Sequence, residues 1–233
     1  MFRKLLDGYV SRVKGEDYVV DKRITTGYLV SEFRTRLFMK LRGKLRFWRS
    51  AHTPFVGKGS VLRCRRQMHF GPGVSIGEHA YLDAVSVEGI VFGDNVSVGK
   101  RTVIECTGSL RHLGKGLRVG NNVGLGSDNF YGCAGGIVVG DDTIVGNFVS
   151  FHAENHNSSQ LDTPIRLQGV NHQGIRIGNN CWIGAKCTIL DGAVIGNGCI
   201  IAAAALVLAG VYQENGIYGG VPARLLKTRV NTG

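Results

Sequence analysis

Two histidines and a glutamate lie close together in the segment VSFHAENHNSS, residues 149–159. His152 and His156 are four residues apart, and on a helix this spacing would place both imidazoles on one face, as in a zinc site. The glutamate of the helical zinc motif directly follows its first histidine, whereas Glu154 is the second residue after His152. The two histidines could form a metal site or a catalytic pair, or only one of them could be functional. The flanking sequence must show whether this segment is helical.

From residue 70 onward, apolar residues recur every six positions, a period that fits neither an α-helix nor an ordinary β-strand. Glycine follows most of them, and the residue four places after each is usually small. Short parallel strands joined by tight turns explain the pattern, with three hexads closing one triangular coil and the first position filling its interior. We therefore predict an all-β parallel β-helix. The apolar positions are Phe70, Ile76, Leu82, Phe92, Val98, Ile104, Val119, Leu125, Tyr131, Val139, Val145, Phe151, Ile177, Ile183, Ile189, Ile195, Ile201 and Val207.

This part of the chain resembles the hexapeptide-repeat acyltransferases, and is most similar to sugar O-acetyltransferases of the maltose and galactoside type and of capsule and O-antigen synthesis. The likeness covers about residues 56–228 and rests on IRIGNNCWIGAKCTILDGAVIGNGCIIAAAALV and on GGVPARLLK. It implies a left-handed β-helix, an exception to the usual right-handed crossover. It also implies transfer of acetyl from acetyl-CoA to a sugar hydroxyl in surface-glycan biosynthesis, by a homotrimer whose active sites lie between subunits.

The repeat makes residues 149–156 part of a coil, so the helical zinc interpretation loses its premise. The repeat breaks after His156 and resumes at Ile177, and residues 157–174 are expected to leave the prism as a loop. A loop of this length without its own repeat is usually functional. The resemblance implies that His156, at the root of the loop, is the general base. Glu154 either orients its imidazole or is a solvated charge.

The chemistry implied by the resemblance needs one base. An acetyl thioester is already activated, so the missing step is removal of a proton from the sugar hydroxyl as it attacks the carbonyl. An imidazole, with an ordinary pKa of about 6.5, suits that step and could return the proton to the leaving CoA thiolate. Backbone N–H groups of the glycine-rich coils could bind the tetrahedral oxyanion.

Donor-binding residues follow from the same resemblance. Trp182 is expected beside the thioester, Ala185 and Ala203 along the pantetheine, and Arg224 and Lys227 near the CoA phosphates. A subunit contact for Trp182 and a solubilising tail for the two cations are the alternatives. The stretch IAAAALVLAG departs from the family's IGAGSVVTKD, which leaves open how the CoA phosphates are held.

Asp128 and Asn129, in GLGSDNFYGC, lie near where the family often places polar residues that contact the acceptor. Asn129 also occupies the fifth position of a hexad, so an internal asparagine ladder is the alternative. No complete set of metal ligands is visible, and no metal is expected. Two other classes stay open: a zinc lyase like the γ-carbonic anhydrases, which uses histidines five apart, and a non-catalytic β-helix scaffold.

Positive charge is concentrated at the start of the chain. Residues 1–70 hold 17 Lys and Arg against 5 Asp and Glu, a net +12, whereas the rest hold 11 against 12, a net −1. Residues 26–49 are typical of a basic amphipathic helix, which either packs on the first coil or docks on an anionic membrane. Nothing resembles a nucleic-acid-binding module. The apolar stripe of this helix is Leu29, Phe33, Leu37, Leu41 and Leu45.

The sequence thus divides into three segments. Residues 1–55 form a basic, partly helical segment, residues 56–212 the β-helix, and residues 213–233 a tail that binds CoA. No run of 18 apolar residues and no secretory signal is visible, so we expect a cytoplasmic protein, free or peripheral at the inner face of the membrane.

Overall fold

The computed structural model describes residues 20–230, so the first nineteen residues of the predicted basic segment lie outside the described residues. The described residues form one α-helix and short β-strands, with 3₁₀ turns at Arg65–Gln67 and Ile165–Leu167. The elements are α1 (Thr26–Arg46), β1 (Phe55–Val56), β2 (Val61–Arg63), β3 (Met68–Phe70), β4 (Ser75–Ile76), β5 (Tyr81–Asp83), β6 (Ile90–Phe92), β7 (Ser97–Val98), β8 (Val103–Glu105), β9 (Leu117–Val119), β10 (Phe130–Gly132), β11 (Ile137–Val139), β12 (Ile144–Val145), β13 (Ser150–His152), β14 (Asn155–His156), β15 (Val170–Asn171), β16 (Ile175–Ile177), β17 (Trp182–Ile183), β18 (Thr188–Leu190), β19 (Ala193–Ile195), β20 (Ile200–Ile201), β21 (Leu206–Val207), β22 (Gly210–Tyr212), β23 (Gly216–Gly219) and β24 (Arg224–Thr228).

The strands form three parallel faces of a triangular prism. The first face contains β1, β4, β7, β12, β17, β20 and β23, and Gly124 bridges its two halves by pairing with Ser97 and Ile144. The second face runs β2-β5-β8-β10-β13-β18-β21, and the third runs β3-β6-β9-β11-β16-β19-β22. The chain visits the faces in this order, so a first corner joins the first face to the second and a second corner joins the second to the third. The predicted left-handed parallel β-helix is confirmed.

The residues at the first position of each hexad form the core of the prism. All eighteen predicted inward positions are buried. Small residues at the fifth position are buried as well, as at Ala80, Thr102 and Cys181. Removing a Leu, Ile or Phe side chain from water contributes about 1.5–3 kcal/mol, and each coil shares this gain with the coils above and below it.

Helix α1 closes the open end of the prism. The Thr25 side chain accepts a hydrogen bond from the Tyr28 N–H and begins the helix. Phe47, directly after the helix, is buried, and its ring packs edge-on against Phe70 with centroids 5.1 Å apart. Gly43 lets the helix approach closely, because a Cβ there would collide with the Pro54 carbonyl.

Three basic side chains also hold helix α1 against the first coil by donating hydrogen bonds to backbone carbonyls. Arg42 donates to the Val56 carbonyl at 2.8 Å, and Arg46 donates to the Ser60 carbonyl at 2.8 Å. Lys40 donates to the Thr53 carbonyl at 2.6 Å, and partial burial lowers the pKa of its ammonium group. These cations satisfy carbonyl groups at the end of the prism that no further coil could reach.

The predicted apolar stripe of α1 is not its packing face. Leu29 is buried, but Leu37, Leu41 and Leu45 are 49%, 47% and 81% exposed, and Phe33 is half exposed. The helix is rotated so that Gly43 and the residues beside it face the coil, because only Gly43 permits the close backbone approach. Among residues 20–230, no helix is both long enough and apolar enough to cross a membrane.

Phe47→Ala should lower the free energy of unfolding by about 3–5 kcal/mol, because it empties a large aromatic site between α1 and the first coils. The matched control is Trp48→Ala, which removes a neighbouring aromatic that is 73% exposed and should cost less than about 0.5 kcal/mol. Chemical denaturation followed by circular dichroism measures both. Equal effects of the two substitutions would mean that α1 does not cap the prism.

Candidate active site

His156 lies where the chain leaves the prism. Strand β13 ends at His152 on the second face, and β14 then turns away and pairs antiparallel with β15, with His156 opposite Val170. The chain rejoins the third face at Ile175, which pairs with Ile137. The chain leaves the prism two residues earlier than the loop predicted at residues 157–174, because Asn155 and His156 belong to the two-residue ladder that closes the base of the excursion and not to a coil. His156 is exposed there.

The excursion, called the base loop below (residues 157–174), is held together by its own polar side chains. The Gln168 amide donates to the carbonyls of Gln160 and Thr163, at 2.7 Å each, and its oxygen accepts from the Gln160 N–H at 3.0 Å. The Asn157 amide donates to the Gln168 carbonyl at 3.0 Å. These bonds give the loop a defined shape around an open concavity of about 400 Å³ lined by Ser158, Gln160, Leu161, Asp162, Thr163, Pro164, Ile165 and Gln168.

Asp191 is a buried carboxylate at the second corner that the sequence analysis did not identify. Its Oδ1 accepts hydrogen bonds from the backbone N–H groups of Gln173 at 3.0 Å and Gly174 at 2.7 Å. Its Oδ2 accepts from the Gln173 N–H at 2.9 Å and from the Asn155 side-chain amide at 3.2 Å. A signal was present in the sequence, because equivalent corner positions of earlier coils hold small apolar residues, namely Ala84, Cys106, Cys133 and Ala153.

His152 and Glu154, the other candidate residues of segment 149–159, lie apart from this corner or face elsewhere. His152 is exposed on the outside of the second face, where its ring lies 5.5 Å from the Phe130 ring. The Glu154 carboxylate points toward Gly108 of an earlier coil, 3.4 Å from where a Cβ would stand. Within residues 20–230 no hydrogen bond joins Glu154 to His156, so the orienting role of Glu154 stays a prediction.

The structure brings the predicted pantetheine residues together. Trp182 lies on the outside of the first face, 54% exposed, between Ile144 and Ile200 of adjacent strands. Ala185 and Ala203 follow at the first corner in successive coils, and a Cβ at Gly184 would meet the Ala203 backbone nitrogen at 2.5 Å. The backbone N–H groups of Ala185 and Ala203 donate to no backbone carbonyl among the described residues, whereas those of Gly184 and Ala204 pair with neighbouring coils.

Arg224 and Lys227 lie on β24, which pairs antiparallel with β23 and so extends the first face beyond Trp182. Both side chains are exposed. Along the described chain neither makes an ion pair, and Arg224 donates only to the carbonyl of Ala223. The two cations therefore share a face with Trp182.

Asp128 and Asn129 are used within the fold. Asn129 is buried, its amide donates to the carbonyls of Leu125 and Gly146, and its oxygen accepts from the Val149 N–H at 2.8 Å. Asp128 lies at the first corner and forms a two-pronged ion pair with Arg101, at 2.6 and 2.8 Å. The Asn129 amide is used up inside the prism, where the adjacent coils hold Thr102 and Val149 at the equivalent position and no asparagine ladder forms. The predicted contact of Asp128 with an acceptor stays a prediction.

The buried thiols of the prism are not candidates for the base. Burial raises the pKa of the thiols of Cys133, Cys181, Cys187 and Cys199. They stay protonated at neutral pH and serve as packing groups. Among residues 20–230, no three His, Cys, Asp or Glu side chains converge closely enough to hold a metal ion.

Comparison with known proteins agrees with this geometry. Residues 174–209 match the bacterial transferase hexapeptide, a family of six repeats. A protein of Mycobacterium tuberculosis described as "Probable acetyltransferase Rv3034c" is 30% identical over 148 residues, which are 64% of this chain and 45% of that protein. The chain therefore spans less than half the length of this curated relative. The recognition of a hexapeptide-repeat transferase from the sequence is confirmed.

Solved structures show the same fold. AntD, an N-acyltransferase from Bacillus cereus, in complex with dTDP and 3-hydroxybutyryl-CoA, has a TM-score of 0.51 at 18% identity, covering 81% of this chain and 88% of AntD. A variant of AntD in complex with dTDP and coenzyme A has a TM-score of 0.55 at 21% identity, with 80% and 89% covered. At this level of identity the likeness establishes the β-helix fold.

Proposed function

We propose that the chain transfers an acetyl group from acetyl-CoA to a hydroxyl group of a sugar in the synthesis of a surface glycan, with His156 as the general base. The curated relative, a probable acetyltransferase that is 30% identical, supports acetyl transfer. The observation that carries the proposal is the position of His156, an exposed imidazole at the closed base of a long excursion from an otherwise regular prism.

His156 can act on an acceptor that lies in the angle between the base loop and the prism. Among the described residues no hydrogen bond occupies either ring nitrogen, so one nitrogen is available to the acceptor hydroxyl. The imidazole takes the hydroxyl proton as the oxygen attacks the thioester carbonyl, and the proton then goes to the sulfur of the departing CoA. The products are the acetyl ester and CoA with a free thiol, and His156 returns to its neutral form.

Trp182, Ala185, Ala203, Arg224 and Lys227 are proposed to bind the donor. Pantetheine amides can pair with backbone groups at the first corner, and the cations of β24 can neutralise phosphate charge. The stretch IAAAALVLAG lacks the side chains that the family usually has there, so Arg224 and Lys227 are proposed as phosphate partners in their place.

The separation of these groups within one chain supports the proposal of a homotrimer with shared active sites. His156 belongs to the second corner and the donor residues to the first face and first corner, and the strands of the second face lie between them. Three residues of strand span about 10 Å, and the convex prism edge blocks a direct path. We propose that His156 of one subunit faces the donor residues of its neighbour.

The acceptor could carry an amine in place of a hydroxyl, because the fold is shared with the N-acyltransferase AntD. A neutral sugar amine needs less help from a base than a hydroxyl does, and so the two acceptors depend differently on His156. Assays with matched pairs of nucleotide sugars, one with a hydroxyl and one with an amine at the same carbon, separate these alternatives. The proposal requires the hydroxyl compound to be the better acceptor.

His156→Ala should lower kcat for acetyl transfer by roughly 10²–10⁴-fold, the usual contribution of a general base. The Kd for CoA should not change, because the donor residues lie at another corner. His152→Ala is the matched control, since it removes an exposed imidazole four residues earlier and should leave kcat near wild type. Steady-state kinetics with thiol detection and calorimetry with CoA measure these effects. A larger loss of kcat in His152→Ala than in His156→Ala would refute the assignment.

Helix α1 is proposed to dock on an anionic membrane surface with the face that turns away from the prism. Leu37, Leu41 and Leu45 form an exposed apolar row there. Arg34 and Lys44 lie one helical turn from this row, and the Arg49 guanidinium lies 4.5 Å from the Trp48 ring. Cations that flank an apolar row match the chemistry of a lipid surface with negative headgroups.

Sedimentation with phosphatidylglycerol-containing vesicles tests this surface. Binding should fall as salt rises, because exposed charges are screened beyond about 10 Å at 0.1 M ionic strength. Replacing Leu37, Leu41 and Leu45 together by serine should weaken binding at least about tenfold. The control replaces Leu110 and Leu161, exposed leucines outside the helix, by serine. Unchanged binding of the helix variant, or equal loss in the control, would rule out this docking face.

A further inference from the structure

We propose that Asp191 is a positioning residue that fastens both ends of the base loop to the prism and thereby fixes the place of His156. This inference rests on the proposed function of His156. Asp191 lies in the coil that follows the loop, directly after Leu190, which pairs with His152 of β13. Its carboxylate is therefore beside the point at which the chain departs.

The hydrogen bonds of Asp191 reach both ends of the excursion. On the side where the chain leaves, Oδ2 accepts from the amide of Asn155, whose backbone neighbour is His156. On the side where the chain returns, the carboxylate accepts from the N–H groups of Gln173 and Gly174, at distances of 2.7 to 3.0 Å. One side chain thus joins two segments that are separated by the whole loop.

The carboxylate is suited to this role by its charge. Asp191 is only 2% exposed, and a buried carboxylate is tolerated when several donors surround it. Hydrogen bonds to a charged acceptor are roughly twice as strong as those between neutral groups. Asparagine is a weaker substitute, because its neutral oxygen can still accept from Gln173 and Gly174 but its NH₂ group faces the Asn155 amide, which would have to turn over to accept.

The other contacts at this corner hold one end of the excursion or join its ends to each other, but do not tie both ends to the prism. The Gly192 N–H donates to the Gly174 carbonyl at 2.9 Å and holds the returning end alone. The β14–β15 ladder pairs only two residues on each side. The polar contacts of Asn157 and Gln168 lie within the loop and hold its shape without anchoring it to the prism. Without Asp191, the loop could keep its shape and still move as a unit, and His156 would move with it.

Two activity-independent measurements test the anchor. Arg166 is the only lysine or arginine of the base loop, so the rate at which trypsin produces the fragment ending there reports release of the loop. In Asp191→Asn this rate should rise roughly 10- to 100-fold, which matches the loss of hydrogen bonds to a charged group. The ring signals of His156 and His172, which both lie on the excursion, should shift or broaden in an NMR spectrum, while the signal of His152 on β13 should not.

Steady-state kinetics distinguish a positioning role of Asp191 from a general effect on the stability of the fold. In Asp191→Asn, kcat should fall roughly 10- to 100-fold with KM for acetyl-CoA unchanged, because the donor residues lie at the first corner. Asp141→Asn is the matched control, since the Asp141 carboxylate also accepts a backbone N–H from the neighbouring coil, that of Asn121 at 2.6 Å, but at a different corner. It should leave the Arg166 cleavage rate and kcat unchanged.

Asn155→Ala provides a second variant should Asp191→Asn not fold. It removes one contact to the carboxylate from an exposed position and should have a smaller effect in the same direction, with no additional effect in an Asp191→Asn background. Wild-type cleavage at Arg166 in Asp191→Asn, or faster cleavage with an unmoved His156 signal, overturns the inference. If the wild-type chain transfers no acetyl group, the proposed function fails, while the trypsin and NMR results still decide the role of Asp191.

Discussion

The structure depends on register, because every sixth residue must point into the prism for any coil to be buried. A segment that leaves the prism must return at the position where the next inward residue is due. Phe151 and Ile177 meet this requirement on either side of the base loop: each lies inside, stacked on Tyr131 and Val139 of the coil before. The excursion is thus compatible with the fold only if its two ends are held together.

This requirement couples the scaffold to the site. The ladder between β14 and β15 and the hydrogen bonds of Asp191 close the base of the loop, and His156 lies within that closure. At the first corner of the same prism, the backbone N–H groups of Ala185 and Ala203 have no backbone carbonyl partner among the described residues. In the proposed account, the base and the donor surface lie at different corners of one convex chain, and association of subunits brings them together. The account thus derives function from the interruption of the repeat and from contact between copies.

The sequence predicted best what depends on the repeat itself. Inward residues such as Ile183 and Leu82 follow from a six-residue period that no other fold explains, and the loop follows from its interruption at Asn157. Helix α1 was predicted, but its packing face was not, because close approach at Gly43 outweighed the stripe that runs through Leu37. Asp191 was missed since its partners are mainly backbone groups seventeen or eighteen residues away, which leave no pattern in the sequence apart from a carboxylate in a column of small residues.

The shared active site is the central claim, and subunit complementation tests it most directly. His156→Ala removes the base, and Ala203→Trp obstructs the donor surface, so each variant alone should be inactive. Trimers assembled from a one-to-one mixture should recover about a quarter of wild-type activity, because a quarter of the sites combine an intact base from one subunit with an intact donor surface from the next. No recovery, although light scattering shows mixed trimers of about three times 25.1 kDa, would contradict the account and place base and donor within one chain.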